Sequence, residues 1–566
     1  LITDHTIFQP FWRSLRLFSV GAVALFAVSC GNGRTEEFIP EKSLSKEEKL
    51  EMLSEELKTI VSNEPLVIDS LFLLSGSEIS RFYAAREHAP FWINETDTLR
   101  VGSMMMGVLD SAWCYGIDPD WLFYSRIRSL FDSCRLEDNY VIKAKHLARA
   151  DVLLTNAFFL QTTFLAEGFI DTASMGIAWK KDSLTIDFSD YLGSVNDTNL
   201  FRKLFAFQPD FIEYRQLQSA LSQWAGSREM WDDKFEVPDP KKDSLGFWDM
   251  ARRSLRRNGF LDSSSLVVDT LVVKALKDLQ MQHRMDVDGK PGRQSTWALG
   301  LSNYDRFLRA ALAMEKWRWK YRSDPQMQFR INIPSYELNV IRNDSIIYRA
   351  RVVTGATDHQ TPELHATVRY FTLFPYWNVP HSISTEEILP FVKRDTNYLH
   401  KHNYRVFDLK RNPVAIADVD WKRLSKDRFP YFIRQEGGPT NSLGLIVFFF
   451  PNKHDVYLHD TPMKPLFNRE VRNFSHGCMR LQNPFKLGEI VWKDQWPKDT
   501  VNADTLRNRA IRFGKETRFA LKRRIPIEVD YITVTADSIR NIWFHYDVYA
   551  RDEKYLEIIR RLRPKH

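Results

Sequence analysis

Across residues 71–224, apolar positions recur at three- and four-residue spacing with few β-branched runs, the pattern of packed helices. Asp118-Pro119 falls where a loop opens the next of them. A more compact helical pattern follows at 247–302. There, 271–283 has helical periodicity, Asp286-Val287-Asp288-Gly289-Lys290-Pro291-Gly292 reads as a turn, and 295–299 begins another helix. Residues 304–321 predict one more. The texture changes near Gln328. Segments 329–333, 337–341, 345–350 and 351–355 alternate as short strands, with Asn343-Asp344 as a hairpin turn, and 367–374 predicts a further strand. Between Pro380 and Gly437 the alternation lapses: 384–402 reads as helical, and a polar, Lys/Arg-rich stretch follows. Strand signals return at 445–450 and 456–459, a helix at 484–492, and late strands at 525–532 and 542–548, expected to complete the β-rich part. The pattern predicts a multidomain α+β chain.

With 566 residues the chain is too long for one core, and three or four domains are expected. The net charge of +7 is modest for this size and gives no nucleic-acid footprint without a clustered basic face. The N-terminus changes the picture more. Arg13 and Arg16 precede an apolar run at 17–28 that ends in Ala27-Val28-Ser29-Cys30-Gly31, the pattern of an export signal. The run is shorter than the roughly 20 apolar residues a membrane-spanning helix needs. Residues 31–60 read as a charged, aromatic-poor linker whose Lys/Glu-rich second half is a helix candidate. Residues 556–566 read as a basic, solvated tail. Cys114 and Cys134 are either a disulfide pair or free thiols.

The densest chemistry lies between His459-Asp460-Thr461 and Ser475-His476-Gly477-Cys478-Met479-Arg480. A thiol becomes a useful nucleophile as the thiolate, and an imidazole nearby is the usual way to form one near neutral pH. Gly477 permits a tight turn on which successive amides can converge on an oxyanion. Either the Asp460 carboxylate or a backbone carbonyl can fix the His459 tautomer. On residue types alone three other readings stand: Cys478 as a small buried hydrophobe, Ser475 to Cys478 as merely a turn, or Cys478, His459 and His476 as zinc ligands, for which no completing Cys lies nearby. Asp286-x-Asp288-Gly289 starts like a calcium loop, but the remaining ligands and closing Glu are missing.

His-x(15)-Ser-His-Gly-Cys-x-Arg resembles the signature of the L,D-transpeptidase (YkuD-type) catalytic domain. Three stretches, 375–380, 438–444 and 450–462, resemble the larger YcbB-like murein L,D-transpeptidases, and 82–92, 148–155 and 166–171 resemble their helical scaffold. The resemblance implies a helical scaffold domain at 61–246, a small peptidoglycan-binding-like helical insertion at 247–303 and a returning helix at 304–327. A β-rich catalytic domain at 328–555 follows, with a capping region at about 380–437. It implies a cysteine enzyme of peptidoglycan that forms 3→3 cross-links between stem peptides through a thioester, and that carbapenem-type inhibitors acylate. Cys478 is then the nucleophile, His459 the proton donor and acceptor, His476 and Gly477 the oxyanion loop, and Ser475 a residue that shapes it. Arg480 either binds a substrate carboxylate or braces the loop, with bracing favoured. Trp377 and Tyr457 are cleft walls or core. The leader resembles a bacterial lipobox, with Cys30 lipidated and the protein held in the periplasm of a Gram-negative-type envelope. No cofactor, metal or nucleic acid is required. The alternatives in function are an L,D-carboxypeptidase or endopeptidase on the same substrates, and a non-catalytic wall-binding lipoprotein.

Overall fold

The computed structural model describes residues 38–73, 75–173, 186–226, 236–262, 270–320 and 326–562. The leader, Cys30 and the first part of the linker lie outside them. Its N-terminal half is helical. Helix α1 (Lys46–Val61) starts on a capping box in which Ser45 and Glu48 satisfy each other's backbone amides. Leu53 and Leu57 on its inner face are fully buried, so the second half of the expected linker is a packed scaffold helix. It lies against α2 (Tyr140–Ala166), which is apolar nearly all round and correspondingly buried along most of its length. Cys114 and Cys134 are free thiols.

Helices α3 (Ser244–Arg257), α4 (Thr270–Gln282) and α5 (Arg293–Gly300) form a separate small core around Phe247, Leu255, Leu276 and Leu299. Next, α6 (Asn303–Arg318) returns into the scaffold with every residue buried, including Arg306, Glu315, Lys316 and Arg318. Those charges survive burial because each finds partners. Lys316 donates to the Tyr531 carbonyl and to Asp552, each at 2.7 Å, and Arg330 donates to Glu213 at 2.6 Å. Helical and β-rich halves are thereby pinned by buried ion pairs.

The β-rich half is a nine-stranded mixed sheet. Its strands are β1 (Met327–Asn332), β2 (Glu337–Arg342), β3 (Ser345–Gly355), β4 (Leu364–Leu373), β9 (Ile446–Phe449), β10 (Leu458–His459), β11 (Asn473–Ser475), β12 (Met479–Leu481) and β13 (Thr517–Asp530). Their order is β11-β3-β12-β10-β9-β4-β13-β1-β2, and β2 also pairs with β3, so the sheet closes on itself. The β2–β3 hairpin turns through Asn343 and Asp344, both at positive φ.

Three expectations from the sequence need correction. The region after Pro380 is not without strands: β5 (Trp377–Asn378), β6 (Tyr404–Asp408), β7 (Pro413–Val414) and β8 (Tyr431–Gln435) form an antiparallel sheet in the order β5-β8-β6-β7. With Val392, Val406, Trp421 and Ile433 buried beneath it, this capping subdomain has a core of its own. The expected strand at 542–548 is shorter, β15 (Ile542–Phe544), and pairs with β14 (Val534–Ala536). It joins the scaffold core rather than completing the catalytic sheet. The expected tail begins inside α7 (Glu553–Arg560), whose Leu556 and Ile559 are buried against the scaffold and whose Arg560 pairs with Asp305 and Glu553.

Candidate active site

Strands β10 and β12 run parallel, with Leu458 opposite Met479 and His459 opposite Arg480. Alternation sends Leu458, Met479 and Leu481 into the core, where all three are fully buried. His459 and Arg480 therefore share the other face. Cys478 lies immediately before β12, two residues ahead of Arg480, and its Sγ has the Asp455 carbonyl at 4.0 Å.

His459 Nδ1 meets the backbone carbonyl of Asp460 at 2.5 Å. That contact selects the tautomer with the proton on Nδ1 and leaves Nε2 as an acceptor. The Asp460 carboxylate is used elsewhere: Leu445 N–H donates to it at 2.9 Å, and so does the Lys464 ammonium. Gly444, at φ +63°, leaves room for it, since a Cβ there would lie 2.4 Å from the Asp460 carboxyl carbon. Burial, and then the Arg480 charge, hold the His459 imidazole down to about 4. Cys478 meets solvent at one edge, yet its surroundings still push the thiol up to about 11, with burial the main cause. The Tyr457 backbone amide and the Arg480 charge act the other way. At rest the two groups are a neutral thiol and a neutral imidazole.

The loop before Cys478 is fixed by its own short bonds. Ser475 Oγ donates to the Cys478 carbonyl at 2.5 Å and accepts from Gly477 N–H at 3.2 Å. Gly477, at φ +105°, makes the turn a β-carbon would oppose. Its amide, expected among the oxyanion donors, is held within the loop by Ser475 Oγ. The amides of His476 and Cys478 are left for that task. Arg480 departs from the expected bracing role: among the described residues its guanidinium makes no hydrogen bond or ion pair, and its nearest influences are electrostatic, on Cys478 and His459. Tyr457 is half-buried, its ring stacks on Phe449 at 6.0 Å between centroids, and its hydroxyl is raised by burial first and by Cys478 next. Trp377 packs against the capping core. His476 is partly exposed, with Nε2 2.7 Å from a Glu387 carboxylate oxygen of the capping subdomain.

Several bracing residues escape sequence reasoning. The buried Thr361 accepts from Gly355 N–H and donates to the Gly477 carbonyl, both at 2.8 Å. Tyr549 donates from its hydroxyl to the Gly355 carbonyl at 2.6 Å. The guanidinium of Arg472 is spent on backbone carbonyls, among them Val352 at 3.3 Å and Tyr336 at 3.2 Å. No residue pattern marks these, because their partners are backbone atoms, all but the nearby Gly355 amide more than a hundred positions away. Among the described residues no group of three His, Cys, Asp or Glu side chains is arranged to hold a metal.

Comparison with known families decides what this arrangement belongs to. Residues 327–491 match the family YkuD, the L,D-transpeptidase catalytic domain, and residues 77–221 match the family Scaffold, a scaffold domain. The chain joins a YkuD L,D-transpeptidase catalytic domain to a scaffold domain. A Haemophilus influenzae protein described as "Putative L,D-transpeptidase" is 28% identical over 347 residues, which are 61% of this chain and 65% of that protein. The match thus spans just under two thirds of that relative. A solved structure, an L,D-transpeptidase from Mycobacterium smegmatis, aligns with 36% of this chain and 58% of its own at 12% identity and a TM-score of 0.16, a likeness too slight to bear on the fold. Within the YkuD domain lie both β10 and β12, and with them His459, the loop of Ser475 to Cys478, and Arg480. The capping sheet falls inside the same matched span.

Proposed function

We propose that the chain is a peptidoglycan L,D-transpeptidase that forms 3→3 cross-links between stem peptides through a thioester on Cys478. The observation that carries this reading is a buried His459, held through Nδ1 by the Asp460 carbonyl, on a strand paired in parallel with the strand that directly follows Cys478. The donor is a tetrapeptide stem whose L-centred diamino acid is joined to D-Ala. Cys478 Sγ attacks that carbonyl as its proton passes to His459 Nε2. The amides of His476 and Cys478 take the developing oxyanion. D-Ala departs with the proton from His459. A side-chain amine of a second stem then attacks the thioester, forming the amide and releasing the thiol. Arg480, whose guanidinium has no side-chain partner among the described residues, suits a stem-peptide carboxylate. No cofactor takes part.

The site of action is the periplasm, with a lipid on Cys30 as tether. This rests on the charged, apolar and small-residue order of positions 13–31.

Incubation of a synthetic tetrapeptide stem with the protein tests the reading. It should yield free D-Ala and a cross-linked dimer, and neither with Cys478→Ala. D-Ala without dimer would make the protein an L,D-carboxypeptidase. D-Ala release undiminished in Cys478→Ala would remove the cysteine mechanism altogether.

A further inference from the structure

The capping subdomain meets the catalytic loop at the acidic side chain of Glu387. Glu387 lies in a turn of π-helix, Ile383–Ile388, and its carboxylate stands 2.7 Å from His476 Nε2, two residues before the nucleophile. π-helical turns are uncommon and occur frequently at functional sites. The adjacent Glu386 is already engaged by Lys426 at 2.6 Å. Glu387 has no such cation: among the described residues its one ion-pair partner is the imidazole of His476. Both side chains are about half exposed, 42% for His476 and 48% for Glu387, so the pair faces the mouth of the site rather than the core. The ring of His359 packs edge-on against His476 at 4.9 Å and steadies it from the other side.

We propose that Glu387, set against His476, is the specificity-determining residue that receives the ammonium group of the acceptor and so favours amine transfer over hydrolysis. This rests on the transpeptidase reading above. The chemistry asks for such a group. A primary alkyl amine arrives as a cation at neutral pH and must be held, and must lose a proton, before its nitrogen can attack. His459 is buried and takes only one proton at a time, which it returns to the thiol. A carboxylate at the rim binds the cation by a charge-assisted hydrogen bond. The ammonium gives one proton through the Glu387–His476 pair to water, and its lone pair attacks the thioester carbon. The C–N bond forms and the C–S bond breaks. The second nitrogen proton passes to His459 and from there to the Cys478 sulfur, restoring the thiol.

The test is the partition of the acyl-enzyme, read as the ratio of cross-linked dimer to hydrolysed tripeptide from the tetrapeptide stem. Glu387→Gln should lower that ratio by about tenfold, the usual scale of one charge-assisted hydrogen bond. Glu386→Gln should leave it where it is. With hydroxylamine as acceptor, a nucleophile that is largely uncharged at neutral pH, transfer by Glu387→Gln should match the wild type. An unchanged ratio in Glu387→Gln overturns the proposal. An equal loss of transfer to hydroxylamine also overturns it and makes the contact a structural latch. If the wild-type protein forms no dimer at all, the transpeptidase reading fails and this inference with it.

Discussion

Replacing His459 with alanine should slow acylation of Cys478 by roughly 10²- to 10⁴-fold, the usual worth of a positioned general base. The loss is expected to be this large because the thiol cannot ionise unaided. Its surroundings push it up to about 11, so at neutral pH almost none is thiolate. The imidazole is held down to about 4 and is therefore neutral through the working range. A neutral pair reacts only if the proton moves as the carbon–sulfur bond forms, when the negative charge passes to the oxyanion rather than staying on sulfur. The sign of the pH dependence follows. Activity is lost only when His459 becomes protonated, so the acid limb of kcat/KM for acylation should lie near 4 and not near the ordinary imidazole value. The profile should then run level through neutral pH. An acid limb at 6 to 7 would show that the imidazole is not desolvated in solution, and the neutral-pair account would fail. A thermal melt of His459→Ala keeps loss of chemistry apart from loss of fold.

The second large effect belongs to the scaffold. Glu315 is fully buried in α6 and its carboxylate accepts from Phe169 N–H and Ile170 N–H, each at 2.9 Å, and from Trp319 Nε1–H at 3.0 Å, with Arg318 at 3.4 Å. One side chain thus satisfies two amides at the end of α2 and anchors the returning helix. Gly168 is shaped to admit it: at φ +89°, a Cβ there would stand 2.2 Å from a Glu315 oxygen. Glu315→Ala strands two amides and takes the counter-charge from the buried Arg318, whose guanidinium keeps only the Tyr115 carbonyl and the Tyr214 hydroxyl, and should cost about 3–5 kcal/mol. Urea unfolding followed by tryptophan fluorescence checks it. Glu315→Gln keeps an acceptor for the amides and should cost clearly less. A loss below about 1 kcal/mol for the alanine variant would mean that the backbone re-pairs or that water enters.

The sequence made the His459 strand and the cysteine loop legible because they carry rare residue types at fixed spacing, whereas the three-residue strand at Met479–Leu481 was too short to show. It could not choose between the Asp460 carboxylate and its carbonyl, since both sit one residue from His459. The choice is made by Leu445 N–H and Lys464, which claim the carboxylate. The capping sheet was missed because its strands are only two to five residues long and polar turns break their alternation. Of two further helices, the first was a candidate whose packing into the scaffold composition hid, and the second was hidden altogether. Ser45 and Glu48 stand at the spacing of a capping box ahead of Leu53 and Leu57. Leu556 and Ile559 are three apart on one helix face, amid the charges that suggested a solvated tail. Glu387 was beyond sequence reasoning: it lies 89 positions before His476, and its meaning comes only from the folding of the cap over the loop.

The central claim is that Cys478 is an activated, acyl-accepting thiol, and the most direct test is intact mass after incubation with a carbapenem. The account predicts one drug-mass adduct on the wild-type protein and none on Cys478→Ala. A folded wild-type protein that takes up no adduct, or a Cys478→Ala variant that still does, would contradict it.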